Sequence, residues 1–401
     1  MSERLRERPR AAAAPRRARA GAVPVPRPRP RLLACVVLAA LIAAGCGRGT
    51  GSTVRPSPHP AASAGSRARP LAGAQAASGT RLHGVPRFSH VFLIVMENLG
   101  YGQAVRLPYL ARLAARYGVA TGYDALAHPS LPNYLALASG HTWVRSDCWF
   151  CYVSADNLAA EAARAGVTWG AYMQGLPRPC WLGPWWPPTR YAGKHDPFRY
   201  FLDVRGDPAL CAGIRPLSAL RLPPAPGRDP PPAGRATAQG AGGGVVPGLV
   251  WITPNLCNDM HDCAPGVGDA WLRQFVPRIL ASAAWRQGGV LLITWDEASV
   301  ADHRGCCGTS PGGGHVLTLV VAPGLHPGER VALPYNHYSL LATIEDGLGL
   351  PLLGHATTAR PLAAFWPSAS GPAARPAARL ASGSTAPPAP QPKEGGAGAA
   401  G

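Results

Sequence analysis

Short apolar runs that stop abruptly at acidic or amide residues are the most readable pattern in this chain. His90–Met96 (HVFLIVM) is rich in β-branched residues and is followed at once by Glu97-Asn98. Residues 290–295 (VLLITW) lead into Asp296-Glu297, and residues 248–253 (GLVWIT) into Pro254-Asn255 and then Asn258-Asp259-Met260-His261-Asp262. Runs this short and continuously apolar predict strands buried on both faces, as in a parallel sheet. Between them, spaced Leu and Ala with interleaved charges predict helices over 107–117, 157–165, 269–284 and His337–Leu348. Residues 167–173 predict a further strand, and 316–321 form another apolar run.

In open α/β sheets, ligands bind beyond the carboxyl ends of the strands. Three such ends here deliver carboxylates, amides and imidazoles: Glu97 and Asn98, Asp296 and Glu297, Asp259 and His261. Any one of them alone reads as a cap or a polar turn. Together they match what a divalent metal requires, several oxygen and nitrogen donors in convergence.

A fourth segment supplies a nucleophile. His128-Pro129-Ser130-Leu131-Pro132-Asn133-Tyr134 sets a hydroxyl between two prolines, just ahead of the apolar run Leu135-Ala136-Leu137-Ala138. The prolines restrict the backbone, and Ser130 falls at or just before a helix N-terminus, where N–H groups and the dipole favour anions. A serine there also serves as an ordinary N-cap. The carboxylates and histidines elsewhere favour the reactive role: Ser130 as nucleophile of a metal-assisted phosphoryl or ester transfer. His128, two residues earlier, is placed to stabilise phosphate charge or protonate a leaving group. His315, after Gly312-Gly313-Gly314, is either a loop ligand or a polar residue starting a strand.

The blocks Met96-Glu97-Asn98, His128 through Tyr134, Pro254-Asn255 through Asp262, Thr294-Trp295-Asp296-Glu297 and His337-Tyr338-Ser339-Leu340-Leu341 occur in an order that resembles the bacterial phosphoesterase family. That family includes secreted acid phosphatases, phosphatidylinositol-3-phosphatase-like enzymes and, more distantly, phospholipases C, within the alkaline phosphatase superfamily. The resemblance runs from about residue 85 to 366. It implies an α/β fold, a doubly wound and mostly parallel sheet with helices on both faces, and a two-step displacement through a phosphoseryl intermediate. It also implies metal ligation by Glu97, Asn98, Asp296, Glu297 and His337, with Asp259 and His261 added. Many relatives space that last Asp and His by four residues rather than two, so Asp259, His261 and Asp262 are alternatives within the block. The implied substrate is a phosphorylated small molecule or lipid headgroup. Zinc, magnesium and calcium all suit the mixed donors. A phosphodiesterase or phospholipase C of the same fold is the alternative activity, and a non-catalytic surface lipoprotein the alternative class.

The ends of the chain point to export. Residues 1–31 carry ten Arg against two Glu, and a short apolar run, 32–44, precedes Gly45-Cys46-Gly47. This is the layout of a signal peptide over 1–46. Ala43-Ala44-Gly45-Cys46 resembles a bacterial lipobox, which would make Cys46 the lipidated residue; plain secretion is the other option. The expected location is therefore extracytoplasmic, either free or anchored on the outer face of the membrane. Residues 47–84 read as a basic, flexible linker, 85–366 as the catalytic domain with a Pro/Gly-rich insertion at 222–247, and 367–401 as a low-complexity tail.

The formal charge of +18 is a property of these ends. Residues 89–366 hold 20 basic and 18 acidic residues. No basic stripe interleaved with aromatics appears there, which disfavours nucleic acid as a partner. A membrane surface, reached through a lipid anchor, is the macromolecular partner expected. Beyond Cys35 and Cys46, eight cysteines remain, an even number that predicts disulfides in an exported chain. A bridge between Cys257 and Cys263 would pin the Asp259–His261 loop, whereas the adjacent Cys306 and Cys307 are expected to bond to different partners. The Trp/Pro/Gly-dense residues 177–197 either line a substrate entrance or cover the core irregularly.

Overall fold

A computed structural model of the chain describes residues 83–225 and 245–366. The expected signal peptide with Cys46, almost all of the linker, most of the insertion and the tail lie outside the described residues. Among the described residues, ten strands occur in the order β1 (His90–Met96), β2 (Gly118–Tyr123), β3 (Trp169–Met173), β4 (Trp185–Trp186), β5 (Tyr191–Ala192), β6 (Ile214–Pro216), β7 (Leu249–Thr253), β8 (Gly289–Trp295), β9 (Thr318–Val321) and β10 (Arg330–Tyr335). Among the described residues, the helices of seven residues or more are α1 (Pro108–Arg116), α2 (Ser130–Ser139), α3 (Leu158–Arg164), α4 (Pro265–Ala281) and α5 (His337–Leu348).

Eight strands form one sheet in the order β10-β2-β9-β8-β1-β7-β3-β6, and β4 pairs with β5 in a separate hairpin. Only β9 runs against its neighbours; the other neighbouring pairs are parallel. The fold is α/β, a mostly parallel sheet flanked by helices, wound outward in both directions from β1. The apolar runs explain the centre: every residue of β7 and β8, and six of seven in β1, is buried. Such strands are stable only when both faces are covered.

The register fixes the site. Val91 to Ile94 of β1 pair with Leu249 to Ile252 of β7, and His90 to Met96 pair with Gly289 to Trp295 of β8. Glu97 and Asp296 thus leave the sheet side by side, with the β7 exit on the other flank of Glu97.

Predicted and observed elements agree closely, with β1 and α5 matching end to end. The helix expected over 269–284 starts earlier, at Pro265, and breaks before a short turn at Ala283–Arg286. Strands β2, β6 and β10 carry too little apolar pattern to be read from sequence; β10 has a burial pattern of one exposed residue, one buried, three exposed and one buried.

The eight cysteines of the domain pair as Cys148–Cys151, Cys180–Cys211, Cys257–Cys263 and Cys306–Cys307. The last pair corrects the expectation of separate partners. With the other six already joined to one another, the adjacent cysteines have only each other.

Candidate active site

Ser130 opens α2, whose ten residues are all buried. Asn133, one turn on, folds its side chain back over the approach: Oδ1 accepts from the N–H groups of Leu126 and Ala127, and Nδ2 donates to the Ala127 carbonyl. Gly140, in the left-handed region at φ +75°, ends the helix where a Cβ would strike the Leu353 carbonyl. Gly313 allows the loop before β9 to lie against the same approach; a Cβ there would come within 2.4 Å of the Ala127 oxygen. Main chain and side chain both fix where Ser130 points.

It points at two carboxylates. Ser130 Oγ lies 3.2 Å from Glu97 Oε2 and 3.2 Å from Glu297 Oε1. Glu297 Oε2 is in close contact with His128 Nδ1, and His128 Nε2 donates to the Asp302 carbonyl at 2.9 Å. A continuous hydrogen-bonded chain therefore runs from the Ser130 hydroxyl through Glu297 to His128. Burial lifts the Glu297 carboxyl to about 7.

The strand ends add the anionic half. Glu97, Asp259 and Asp296 are fully buried, and each is held well above the usual carboxylate range, by desolvation first; the Asp296 charge adds to this for Glu97 and Asp259, and the Glu297 charge for Asp296. Asn98, at φ +51°, donates its backbone N–H to Asp296 Oδ1. The Cys257–Cys263 bridge spans the Asp259–His261 turn, where the His261 N–H donates to Asp259 Oδ1.

The sequence reading passed over His195, which the structure sets in the centre. Its Nε2 is 3.2 Å from Glu97 Oε1 and its Nδ1 3.5 Å from Asp259 Oδ2, and its ring stacks on Tyr134. Tyr134 in turn donates to Glu97 Oε1. Burial and the Lys194 charge keep the imidazole neutral, pushing its pKa well below the ordinary value. Lys194 itself donates to Asp147 Oδ2 at 2.8 Å, while Asp147 Oδ1 accepts from the Leu131 N–H in the first turn of α2. The available signal is Lys194-His195-Asp196 at the end of the Trp/Pro-dense segment.

This donor set fits a metal ion. Asn98 Oδ1, Asp259 Oδ2 and Asp296 Oδ2 are buried with no hydrogen-bond partner, and His195 Nε2 faces Glu97 without hydrogen-bond alignment. Glu97, His195 and His261 each offer an atom within 4.8 Å of the others. Clustered buried carboxylates lacking partners are costly without a compensating cation. His261 Nδ1 is taken by Asp262 at 2.8 Å, leaving Nε2 available; Asp262 stays outside the cluster.

Two expected residues sit differently. His337 is fully buried beside the site, but its Nε2 donates to the Asp296 carbonyl at 2.6 Å and its Nδ1 is 2.9 Å from the Tyr123 hydroxyl. In this arrangement it holds the Asp296 backbone and has no nitrogen free for a metal. His315 is structural: Nε2 donates to the Thr121 carbonyl and the ring stacks on Tyr101. A cavity of about 750 Å³ opens beside His128, lined by Leu126, Thr142, Val144, Arg145, His303 and Tyr338 among others.

The chain is similar to several known proteins. Residues 236–351 match the model of the Phosphoesterase family. The chain is 30% identical over 303 residues to a phosphatidylinositol-3-phosphatase of Mycobacterium tuberculosis, covering 72% of this chain and 86% of that protein. It is 26% identical over 273 residues to a phosphate-repressible acid phosphatase of Penicillium chrysogenum, covering 67% of this chain and 60% of that longer protein. A phosphonate monoester hydrolase from Silicibacter pomeroyi superposes with a TM-score of 0.41 at 14% identity, over 71% of this chain and 78% of that one, a likeness too remote to bear on the site. The chain belongs to the phosphoesterase family and is a hydrolase of phosphoric ester bonds.

Proposed function

We propose that the protein is an exported, metal-dependent phosphomonoesterase that works through a phosphoserine at Ser130. One observation carries the reading. The Ser130 hydroxyl lies 3.2 Å from both Glu97 and Glu297, at the rim of a cluster of buried donors that have no partner. Glu97, Asn98, Asp259, Asp296, His195 and His261 would hold a divalent ion. When bound, such an ion polarises phosphoryl oxygens and favours the serine alkoxide.

The chain's own groups account for the proton and the charge. Glu297 accepts the Ser130 proton as Oγ attacks phosphorus, and the contact with His128 spreads that proton over a carboxylate–imidazole pair. The bond to the leaving alcohol oxygen breaks, that oxygen takes up the proton held by the Glu297–His128 pair by way of His128, and the phosphoryl group stays on Oγ. Lys194, held by Asp147, places an ammonium beside the cluster to balance the phosphoryl charge. A water molecule then attacks the phosphoserine, Glu297 takes the water proton and returns it to Ser130 Oγ as the P–Oγ bond breaks, and inorganic phosphate is released. The acid phosphatases and the lipid phosphatase among the relatives support monoesters, phosphorylated headgroups included, as the substrate class. Four disulfide pairs in the domain and the signal-like N-terminus support export to an oxidising compartment.

Hydrolysis of a chromogenic phosphomonoester tests the reading. Ser130→Ala should lower turnover about a thousandfold or more, and a chelator should abolish it until a divalent metal is restored. Acid-quenched enzyme should carry labelled phosphate on Ser130. Undiminished turnover by the alanine variant rules the serine out.

A further inference from the structure

We propose that an aromatic lobe beside the active site docks on the surface of an anionic phospholipid membrane. Eleven large hydrophobic side chains are exposed among the described residues, and six of them are aromatic. All six fall in two short stretches, 143–152 and 185–186. Five form the lobe: Trp149, Phe150, Tyr152, Trp185 and Trp186. Phe150, at 68% exposed, is its most open member. The two stretches meet where Trp149 packs edge-on against Trp185, with ring centroids 6.5 Å apart.

These rings are held out rigidly. The Cys148–Cys151 disulfide closes a tight loop with Trp149 and Phe150 at its tip. Beneath it, the fully buried Arg199 donates to the Trp149 carbonyl and to the Leu182 carbonyl, tying the first stretch to the segment just ahead of the second. Tyr200 donates to the Cys148 carbonyl, and Val153 pairs with the backbone of Tyr200. A fixed scaffold that keeps five aromatic rings in water is unfavourable in the free protein, and exposed patches of this kind mark contact surfaces.

The chemistry selects a lipid surface. Three of the five rings are indoles and one is a phenol, apolar bodies with a polar handle that settle at the headgroup level of a bilayer. The adjoining residues 141–155 and 175–193 carry Arg145, Arg178 and Arg190 against a single acid, Asp147, which Lys194 already neutralises. Arg190 makes long surface contacts, 3.9 Å to an Asp262 carboxylate oxygen and 3.8 Å to Cys263 Sγ. The lobe is therefore aromatic and cationic, complementary to an anionic headgroup layer. Asp147 joins the lobe to Lys194 at the cluster, so docking would bring esters on the membrane surface to the site without any spanning helix; no described helix is long and apolar enough to cross a membrane.

The experiment uses the full chain with vesicles of phosphatidylcholine plus phosphatidylglycerol, and of phosphatidylcholine alone. High ionic strength screens the basic N-terminal stretch and leaves the aromatic contribution. Under those conditions Phe150→Ala/Trp185→Ala should co-sediment with the anionic vesicles about tenfold less than wild type, and quenching of tryptophan fluorescence by brominated lipid should fall with it. Hydrolysis of a soluble chromogenic ester should be unchanged, which separates this result from any failure of the serine mechanism. Phe150→Trp, which keeps an interfacial ring, should retain partitioning. Equal co-sedimentation of wild type and double variant, or a loss in Phe150→Trp, overturns the proposal. Self-association of the wild type that the double variant abolishes would assign the lobe to a second copy of the chain, and overturns it as well.

Discussion

The two halves of the candidate site are built from different kinds of structure. Glu97 and Asp296 directly follow the paired strands β1 and β8, whose ladder fixes their spacing before any side chain is considered, and Asp259 lies in the turn beyond the adjacent β7, where its carbonyl accepts the Glu97 N–H at 2.9 Å. His128, Asp147, Lys194 and His195 come from irregular segments held in place by side-chain hydrogen bonds and by contact with α2. The strand half is anionic and under-satisfied, with orphaned oxygens on Asp259 and Asp296. In the loop half, Asp147 satisfies Lys194, and Glu297 with the Asp302 carbonyl satisfies His128. Mutual repulsion is thus a standing cost of the strand half until a cation arrives, whereas in the loop half Lys194 and His128 are paired and the uncharged His195 Nε2 is left unbonded.

Substitutions should separate the halves, most strongly on the strand side. Asp296→Asn keeps the oxygen that accepts from Asn98 but removes a charge from the centre of the cluster. We expect turnover to fall about a thousandfold and the metal-free protein to unfold at a higher temperature, because a repulsion is gone. Activity with calorimetry in chelator reads both, and lowered stability of the metal-free variant would contradict the picture of an under-compensated cluster. His195→Ala bridges the halves and should cost about a hundredfold in activity, with metal retention measured by elemental analysis falling in parallel. Retained metal with lost activity would move His195 from ligand to phosphate contact. Asp147→Asn leaves an acceptor for the Leu131 N–H while uncoupling Lys194. Its loss should be near tenfold and fall mostly on KM, since the ammonium is loosened rather than removed; an effect confined to kcat would argue against it.

The same division governs what could be read from the sequence. The strand half was legible because an apolar run ending in Glu or Asp announces both the element and the edge at which its last residue emerges, and parallel pairing does the rest. Ser130 was legible because two prolines and a following apolar run mark a helix start. Lys194 and His195 sit in an irregular stretch with no period to place it, so only the three-dimensional path reveals that they reach Glu97. His337 shows the opposite failure: the helix was placed from its first residue to its last, yet the bonds made by its ring nitrogens could not be inferred from a pattern that says only that the residue is buried. The pairing of Cys306 with Cys307 was missed because connectivity follows from where the other six cysteines lie, which spacing does not encode.

A buried carboxylate away from the site gives the smallest and most general test of how such groups act on the fold. Glu345 in α5 accepts the Leu353 N–H at 3.1 Å through one oxygen, while the other is buried with no partner. Burial holds its pKa at about 9, against about 4.3 in an unfolded chain. Between those values the folded state keeps a proton that the unfolded state has released, so the stability this group contributes is full below about pH 4 and is lost as pH rises toward 9. Glu345→Gln keeps the acceptor for Leu353 and cannot ionise. The variant should therefore gain on wild type by up to about 1.4 kcal/mol per pH unit across that window, matching it near pH 4 and exceeding it at pH 8. The carboxylates of the site have raised pKa values too, but they are common to both proteins and cancel in the difference. Thermal unfolding of the pair at the two pH values settles it: a difference that stays constant with pH would mean that Glu345 is already ionised in the folded chain.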